Sequence, residues 1–102
     1  MKAKRVLAVH DLCSFGRCSL TAAIPVISAM GMQVCPFPTA LFSNNLTYGE
    51  FTFHDFTDKM TGFMDRWEKL GFQYDAVYSG FLASVEQIEV VRDAARRFAS
   101  HE

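Results

Sequence analysis

The sequence predicts an α/β fold in which three strand-helix units build a mainly parallel sheet. Short apolar runs alternate with segments whose apolar residues recur at helical spacing, and polar residues follow the apolar runs. Strands joined through helices of this length are connected by right-handed crossovers and pair in parallel. With 102 residues, half of them apolar, the chain is expected to form one domain, or part of one, over residues 1–102.

The first unit is predicted between residues 5 and 30. Residues 5–10 form a short apolar run that ends in polar residues, as a buried parallel strand does. A helix is predicted from Ser19 to Met30, with Ser19 as its N-cap, and Pro25 is expected to kink it or delay its start. The apolar face predicted for this helix consists of Leu20, Ala23, Ile24, Ile27 and Met30.

The second unit is a strand followed by the most regular helix of the chain. The strand is predicted over residues 33–37, where Pro36 and Pro38 favour a sheet edge or an early end because neither can donate to a ladder. Gly71 is expected to end the helix. Its predicted apolar residues are Phe56, Met60, Phe63, Met64, Trp67 and Leu70.

The third unit is predicted from residue 75 onward. Residues 75–79 form the strand, and Ser84-Val85-Glu86-Gln87 is a capping-box signature that opens a helix. The apolar face predicted for this helix consists of Val85, Ile88, Val91, Ala95 and Phe98.

Charge and hydropathy argue against nucleic-acid and membrane partners. Ten basic and eleven acidic residues are spread along the chain and leave a formal net charge of −1, so no concentrated positive field is expected. No apolar run approaches the roughly 20 residues of a membrane span. The basic segment 2–5 leads into an apolar stretch too short for a signal peptide, so we expect a cytoplasmic protein.

Several common sites are excluded or disfavoured by residue spacing. Cys13, Cys18 and Cys35 lack the Cys-x-x-Cys spacing of metal and redox sites, so reduced thiols are expected. The histidines show no metal-ligand spacing, and no metal site is predicted. The six glycines include no Gly-x-Gly pair, which excludes a dinucleotide fingerprint and a Walker phosphate loop.

Polar residues cluster where the predicted strands end. His10 and Asp11 follow the first strand, residues 39–49 follow the second, and residues 79–81 follow the third. Ligands of open parallel sheets bind beyond the carboxyl ends of the strands. With the aromatic faces of Phe42, Tyr48 and Phe81, such a site suits a small heteroaromatic ligand. The alternatives are that Asp11 only caps a turn and that the aromatic residues belong to the core.

Three segments of the chain resemble the pyridoxal, pyridoxine and pyridoxamine kinases of the ribokinase-like superfamily. They are VLAVHDLCSFGRCSL, PVISAMGMQVCPFPTALFSNNLTYG and YDAVYSGFLASVEQI. The most specific element is Ser43-Asn44-Asn45 with Tyr48-Gly49, which in these kinases forms part of the vitamin B6 pocket. The resemblance implies a three-layer sandwich with a mainly parallel sheet, of which this chain carries the partial order β-α-β-α-β-α.

The resemblance also implies which residues contact the vitamer. Asp11 occupies the ring-contacting position after the first strand, where many pyridoxal kinases have serine, and Phe81 sits where tyrosine is frequent. The implied substrate-binding residues are Asp11, Phe42, Asn45, Leu46, Thr47, Tyr48 and Phe81. The sequence His10-Asp11-Leu12 is similar to the bacterial pyridoxamine-kinase branch, and the preferred vitamer stays open.

Kinases of this family use ATP and Mg²⁺, which the resemblance implies are bound mainly by a part beyond residue 102. The same part would hold a Gly-x-Gly-Asp turn with the catalytic aspartate, so no catalytic residue is predicted within the chain. Residues 1–102 are therefore interpreted as the amino-terminal, substrate-side portion of a kinase that is homodimeric when complete. By itself this portion is predicted to be inactive. The alternatives are a hydroxymethylpyrimidine kinase and a non-catalytic flavodoxin-like binding domain.

Overall fold

A computed structural model describes residues 3–80, 82 and 84–98 of the chain. These residues form four strands, three α-helices and one short 3-10 helix at Leu46–Tyr48. The strands and α-helices are β1 (Arg5–Cys13), α1 (Leu20–Ala29), β2 (Gln33–Phe42), β3 (Phe53–Asp55), α2 (Thr57–Leu70), β4 (Ala76–Ser79) and α3 (Val85–Phe98).

The four strands form one sheet in the order β3-β2-β1-β4. β1 pairs in parallel with both β2 and β4, whereas β3 pairs antiparallel with residues 40–42 of β2. The mainly parallel α/β sheet predicted from the sequence is confirmed. β3 is not predicted, because its three residues are all exposed and too few to show a strand pattern.

β2 is twice as long as the predicted strand, because its two prolines do not interrupt its pairing with β1. The backbone amide of Gln33 donates to Lys4 O at 2.8 Å, so by alternation residues 35 and 37 also face β1. Pro36 and Pro38 then face the other side, which β3 leaves uncovered because it reaches only residues 40–42. The predicted sheet edge is therefore correct for residues 33–38 on the side away from β1. The prediction that the strand ends at residue 37 is wrong.

The helices pack on both faces of this sheet. Successive side chains of a strand point to opposite faces. Leu7 and Val9 of β1 belong to the main core with buried residues of α2 and α3, whereas Val6 and His10 line a groove with α1. α1 therefore lies on one face and α2 and α3 lie on the other, which is the predicted three-layer arrangement.

Burial on α2 follows the predicted apolar face only in part. Met60 and Met64 are buried in the core as predicted. Phe63 and Leu70 lie on the same predicted face but are 50% and 57% exposed. The helical spacing identifies the helix correctly, but the width of the buried stripe depends on the partners that reach it.

α1 begins directly after Ser19, so Pro25 does not delay its start. Ser19 occupies the predicted N-cap position but makes no side-chain cap hydrogen bond. Of the predicted apolar face only Leu20 is buried, and Met30 is 67% exposed. Ala23, Ile24 and Ile27 of the same face are half-buried, so burial along this face decreases from Leu20 to Met30.

The predicted apolar face of α3 is correct at Phe98, which is buried in the core, and wrong in the first turns of the helix. Val85 is 70% exposed and Ile88 is 45% exposed, whereas the buried residues are Gln87, Val90, Ala94 and Phe98. A polar residue occupies the first buried position and hides the true stripe from a hydropathy pattern. The N-cap is confirmed, because the Gln87 backbone amide donates to Ser84 Oγ at 3.2 Å.

Gly80 is required by a close approach of the His10 ring. His10 is only 9% exposed, and a Cβ added at Gly80 would overlap the imidazole atoms. The Gly80 amide also donates to Val9 O at 3.1 Å, which fixes the backbone against β1. There is no room for even one methyl group here unless the ring moves.

We expect Gly80→Ala to lower the free energy of unfolding by about 1–3 kcal/mol, because overpacking displaces a buried ring. The matched control is Gly62→Ala in α2, where an added Cβ meets nothing within 4 Å. That variant is expected to raise the free energy of unfolding by about 0.5–1 kcal/mol through helix propensity. Urea denaturation of both variants measures the difference. A Gly80→Ala protein as stable as wild type would contradict the described contact.

Candidate functional site

A cavity of about 130 Å³ lies where the carboxyl ends of β1 and β2 meet. Parallel pairing of these strands brings Asp11 and the residues after Pro38 to the same edge of the sheet. The cavity is lined by Asp11, Thr39, Ala40, Phe42, Leu46, Phe53, Asp55 and Gln87. We call it the carboxyl-edge cavity. It combines two carboxylates and an amide with apolar and aromatic side chains.

Asp11 is anchored by side chains of the turn that follows it. Its Oδ1 accepts a hydrogen bond from Ser19 Oγ at 2.8 Å, and its Oδ2 accepts one from Cys13 Sγ at 3.5 Å. A carboxylate has about four lone-pair sites, so these two bonds leave it able to accept from a ligand. Asp11 thus stabilises the turn and at the same time lines the cavity.

The turn after β1 has an unusual backbone at Ser19. Its φ of 51° is the only positive value found at a non-glycine position in the described part of the chain. Ser19 also bridges antiparallel to Leu12, which folds the chain back beside the end of β1. The bond from Ser19 to Asp11 supports this conformation, because strained backbone persists only where the surroundings hold it.

The polar wall of the cavity is a chain of hydrogen bonds between β2, α2 and α3. Gln87 Nε2 donates to Thr57 Oγ1 at 3.0 Å and to Thr39 O at 3.4 Å. The Thr57 hydroxyl and amide both donate to Asp55 Oδ1, at 2.5 and 2.8 Å. The bond from the Thr57 hydroxyl, and to a smaller extent the bond from the Thr57 amide, lowers the pKa of Asp55 below its usual range.

Asp55 and Gln87 are functional candidates that the sequence does not reveal. Asp55 looks like an ordinary residue near a helix start, and Gln87 looks like the last residue of a capping box. The available signal for Gln87 is its helical spacing from Val90, Ala94 and Phe98; Asp55 has no such signal. Asp55 lines the cavity because β3 pairs with β2, and Gln87 lines it because α3 packs against α2 and Gln87 bonds to Thr39 of β2.

Residues 43–49, which we call the Asn45 loop, are held largely by their own polar groups. Asn45 Oδ1 accepts from the Thr47 amide at 3.0 Å and so caps the short 3-10 helix. The Asn44 amide group donates to Glu50 O at 2.9 Å, and Ser43 Oγ accepts from the Thr52 amide at 2.8 Å. These groups therefore stabilise the loop.

The turn after β1 supports the Asn45 loop. The Asn45 amide donates to Phe15 O at 2.8 Å. Gly16 has a φ of +119° and packs so closely that a Cβ there would lie 2.9 Å from the Asn45 Cβ. Tyr48 is 63% exposed and meets Phe15 edge-on, with ring centroids 5.6 Å apart. The two segments form one surface beside the cavity.

The structure brings together three of the seven predicted site residues. Asp11, Phe42 and Leu46 line the carboxyl-edge cavity. Asn45, Thr47 and Tyr48 lie in the adjacent loop but not among the lining residues. Phe81 lies outside the described residues. The assignment of these residues to a substrate site stays a prediction.

His10 lies outside this cavity, on the face of the sheet that α1 covers. Its ring lies 4.9 Å from the Tyr78 ring, centroid to centroid, and its buried Nε2 has no hydrogen-bond partner among the described residues. Burial lowers the pKa of His10 below its ordinary value of 6.5, and Asp11 opposes only part of that shift. The imidazole is therefore neutral at neutral pH.

We expect this histidine to make the protein less stable in acid. Because its pKa is lower in the folded state, the unfolded chain binds the proton first, and stability is lost as the pH falls through 6.5. The free energy of unfolding should fall between about pH 7.5 and about pH 5, and His10→Phe should flatten that dependence. Urea denaturation at both pH values measures the slope. His54→Gln, on the exposed β3, is the control that keeps the slope, and an unchanged slope in His10→Phe would contradict the assignment.

The described residues, 3–80, 82 and 84–98, contain neither a membrane-spanning helix nor a cluster of metal ligands. No helix among them is long and apolar enough to cross a membrane. Within the same residues, no group of three or more histidine, cysteine, aspartate or glutamate side chains is arranged to hold a metal ion.

The fold is that of an α/β protein of the ribokinase-like class. The pyridoxal kinase of Lactobacillus plantarum has the same architecture, with a TM-score of 0.90 over 96% of this chain at 24% sequence identity. No protein-family model matches the chain.

Two relatives are more similar in sequence. A Bacteroides thetaiotaomicron protein, described provisionally as a phosphomethylpyrimidine kinase and crystallised with pyridoxal, is 48% identical over 98% of the chain with a TM-score of 0.92. The pyridoxal kinase PdxY of Paraburkholderia xenovorans is 30% identical over 96 residues, or 91% of the chain. The resemblance to the pyridoxal kinases is thereby confirmed. The chain spans only about a third of the length of these relatives, 35% and 33% respectively.

Proposed function

We propose that the complete protein is a kinase that phosphorylates the hydroxymethyl group of a vitamin B6 vitamer: pyridoxal, pyridoxine or pyridoxamine. The observation that carries the proposal is the 48% identity, over 98% of the chain, to a protein crystallised with pyridoxal. The carboxyl-edge cavity supports it, because ligands of open α/β sheets bind at this edge.

In this proposal Asp11 accepts a hydrogen bond from a polar substituent of the vitamer ring and orients the hydroxymethyl group. Phe42 and Leu46 supply apolar surface for the ring, since both line the same cavity as Asp11. Asp55 and Gln87 supply further polar groups that line the same cavity. Asn45, Thr47 and Tyr48 would enclose the ligand from the adjacent loop.

ATP and Mg²⁺ complete the proposed reaction, with the metal neutralising charge on the transferred phosphoryl group. A structure of the Leishmania donovani pyridoxal kinase contains ADP and pyridoxamine; at 19% identity it supports only the shared fold here. We place the nucleotide site and the catalytic aspartate beyond residue 102, so residues 1–102 alone should be inactive. The homodimer and the cytoplasmic location stay predictions from the sequence.

A hydroxymethylpyrimidine kinase is the second candidate. The description of the Bacteroides thetaiotaomicron relative as a phosphomethylpyrimidine kinase favours it. Both substrates are small nitrogen heteroaromatics that carry a hydroxymethyl group, and a cavity that combines carboxylates with apolar side chains suits either. The two candidates differ in which ring the site prefers, which kinetics can measure.

The direct test is to compare kcat/KM of the complete protein for pyridoxal, pyridoxamine and hydroxymethylpyrimidine, with ATP and Mg²⁺ present. We expect the highest value for a B6 vitamer, because the similar protein was crystallised with pyridoxal. Release of ADP in a coupled assay measures the turnover. A clear preference for the pyrimidine would support the second candidate, and no turnover of any of the three would contradict both.

Substitution of Asp11 tests its proposed role. We expect Asp11→Ala to lower kcat/KM by roughly ten- to a hundredfold, the equivalent of losing a hydrogen bond to a charged group of about 1.5–3 kcal/mol. It should also lower the melting temperature, because Ser19 loses its acceptor. The matched control is Ser19→Ala, which removes the same bond and leaves the carboxylate in place. If both variants lose activity equally, Asp11 acts only by stabilising the turn.

A further inference from the structure

Two cysteines flank the turn after β1 with their sulfur atoms in contact. Cys18 Sγ donates to Cys13 Sγ at 3.0 Å, and Cys13 Sγ in turn donates to Asp11 Oδ2 at 3.5 Å. All three cysteines are free thiols in the structure. The contact itself is not apparent from their spacing; the bridge of Leu12 with Ser19 brings the two sulfurs together.

The two sulfur atoms lie 3.0 Å apart, which is near the length of a disulfide bond. An S–S bond is about 2.05 Å long, so the two sulfurs need to approach by only about 1 Å. Cys13 is buried and Cys18 is half-buried, so a small oxidant reaches Cys18 first. Cys35 pairs in register with Leu7, which lies about 20 Å back along β1 from Cys13 at about 3.3 Å per residue. The third thiol is therefore no competitor in the folded chain.

We propose that Cys13 and Cys18 are a redox modification site: a peroxide converts them to a reversible disulfide that stiffens the turn supporting the Asn45 loop.

The reaction proceeds in two balanced steps. The Cys18 thiolate attacks one oxygen of the peroxide; the O–O bond breaks, water or an alcohol leaves, and Cys18 becomes a sulfenic acid. Cys13 sulfur then attacks the Cys18 sulfur; the S–S bond forms, the S–O bond breaks, and a second water leaves with the Cys13 proton. Asp11 Oδ2, which already accepts the bond from Cys13, lies in position to receive that proton first.

The environment of Cys13 indicates that it reacts second, after Cys18 has been oxidised. Burial, followed by its hydrogen bonds with Cys18 and Asp11, raises the pKa of Cys13 to about 12. Cys13 therefore stays protonated at neutral pH and does not react with the oxidant itself. It reacts once the neighbouring sulfur has become an electrophile.

The disulfide would close a ring around residues 14–17. These residues make hydrogen bonds to the segments that form the candidate site. The Ser14 amide donates to Phe42 O at 2.8 Å, and Phe15 O accepts from the Asn45 amide at 2.8 Å. Gly16 O accepts from Thr21 Oγ1 at 3.0 Å, which ties the same turn to α1. Restricting this turn therefore restricts the end of β2 and the Asn45 loop together.

The first experiment maps the bond formed by hydrogen peroxide in the full chain. Trypsin cleaves after Arg17, between the two cysteines, so a Cys13–Cys18 bond links peptide 6–17 to the peptide that begins at residue 18. The Cys35→Ser variant excludes a link through the third cysteine. We expect one crosslink, a loss of two hydrogen masses and full reversal by dithiothreitol. A sulfinic acid at Cys18 without a crosslink, or a crosslink that needs Cys35, would overturn the proposal.

The second experiment asks whether the fold creates the pair. In Cys35→Ser, the oxidised fraction is measured over a series of ratios of reduced to oxidised glutathione, with and without denaturant. Because the folded chain holds the sulfurs in contact, we expect an equilibrium constant for disulfide formation at least about tenfold higher without denaturant. An equal or lower constant would show that the contact gives no advantage and would overturn the proposal.

Hydrogen exchange tests the coupling to the loop. Amides in residues 43–49 should exchange several-fold more slowly in the oxidised than in the reduced Cys35→Ser protein. The Cys18→Ser variant, treated with the same peroxide, is the control in which the rate should not change. Equal exchange in the oxidised and reduced forms would contradict the proposed effect on the Asn45 loop.

Discussion

The structure depends on the burial of β1 between two parallel neighbours. Leu7, Ala8 and Val9 are completely buried, and β1 pairs with β2 on one side and with β4 on the other. Neither neighbour pairs with the other, so β1 alone fixes their relative register. Because all three strands run in the same direction, their polar carboxyl ends meet at one edge. The cavity, the Asn45 loop and the turn after β1 are consequences of that pairing.

At this edge one short turn has both structural and candidate functional roles. Asp11 accepts hydrogen bonds from Ser19 and Cys13 and still lines the cavity. The same turn carries the Asn45 loop through its backbone. A substitution here is therefore expected to change both stability and ligand contacts. The Ser19→Ala control separates the two effects, because it removes a hydrogen bond to Asp11 and keeps the carboxylate. Loops that position ligands on a rigid sheet commonly combine these roles.

The sequence predicts features that depend on local periodicity and turn chemistry. The parallel strands, the three helices, the buried Met60 and Met64 and the Ser84 cap are of this kind. Features that depend on contacts between distant segments are not predictable in the same way. Gln87 is buried and bonds to β2 and α2, and the buried face of α3 is rotated from the expected one, although Phe98 belongs to both. β3 exists only because β2 extends past its prolines and offers a partner. The Cys13–Cys18 contact likewise requires the chain to fold back after β1.

In the proposed function, the carboxyl edge of this sheet binds the ring of a B6 vitamer. The most direct test is a crystal structure of the complete protein soaked with pyridoxal. We expect the pyridoxal ring to lie in the carboxyl-edge cavity, with a polar substituent within hydrogen-bond distance of an Asp11 carboxylate oxygen and with Phe42 and Leu46 against the ring. Pyridoxal bound instead in the groove between α1 and β4, or with Asp11 still bonded only to Ser19 and Cys13, would contradict it.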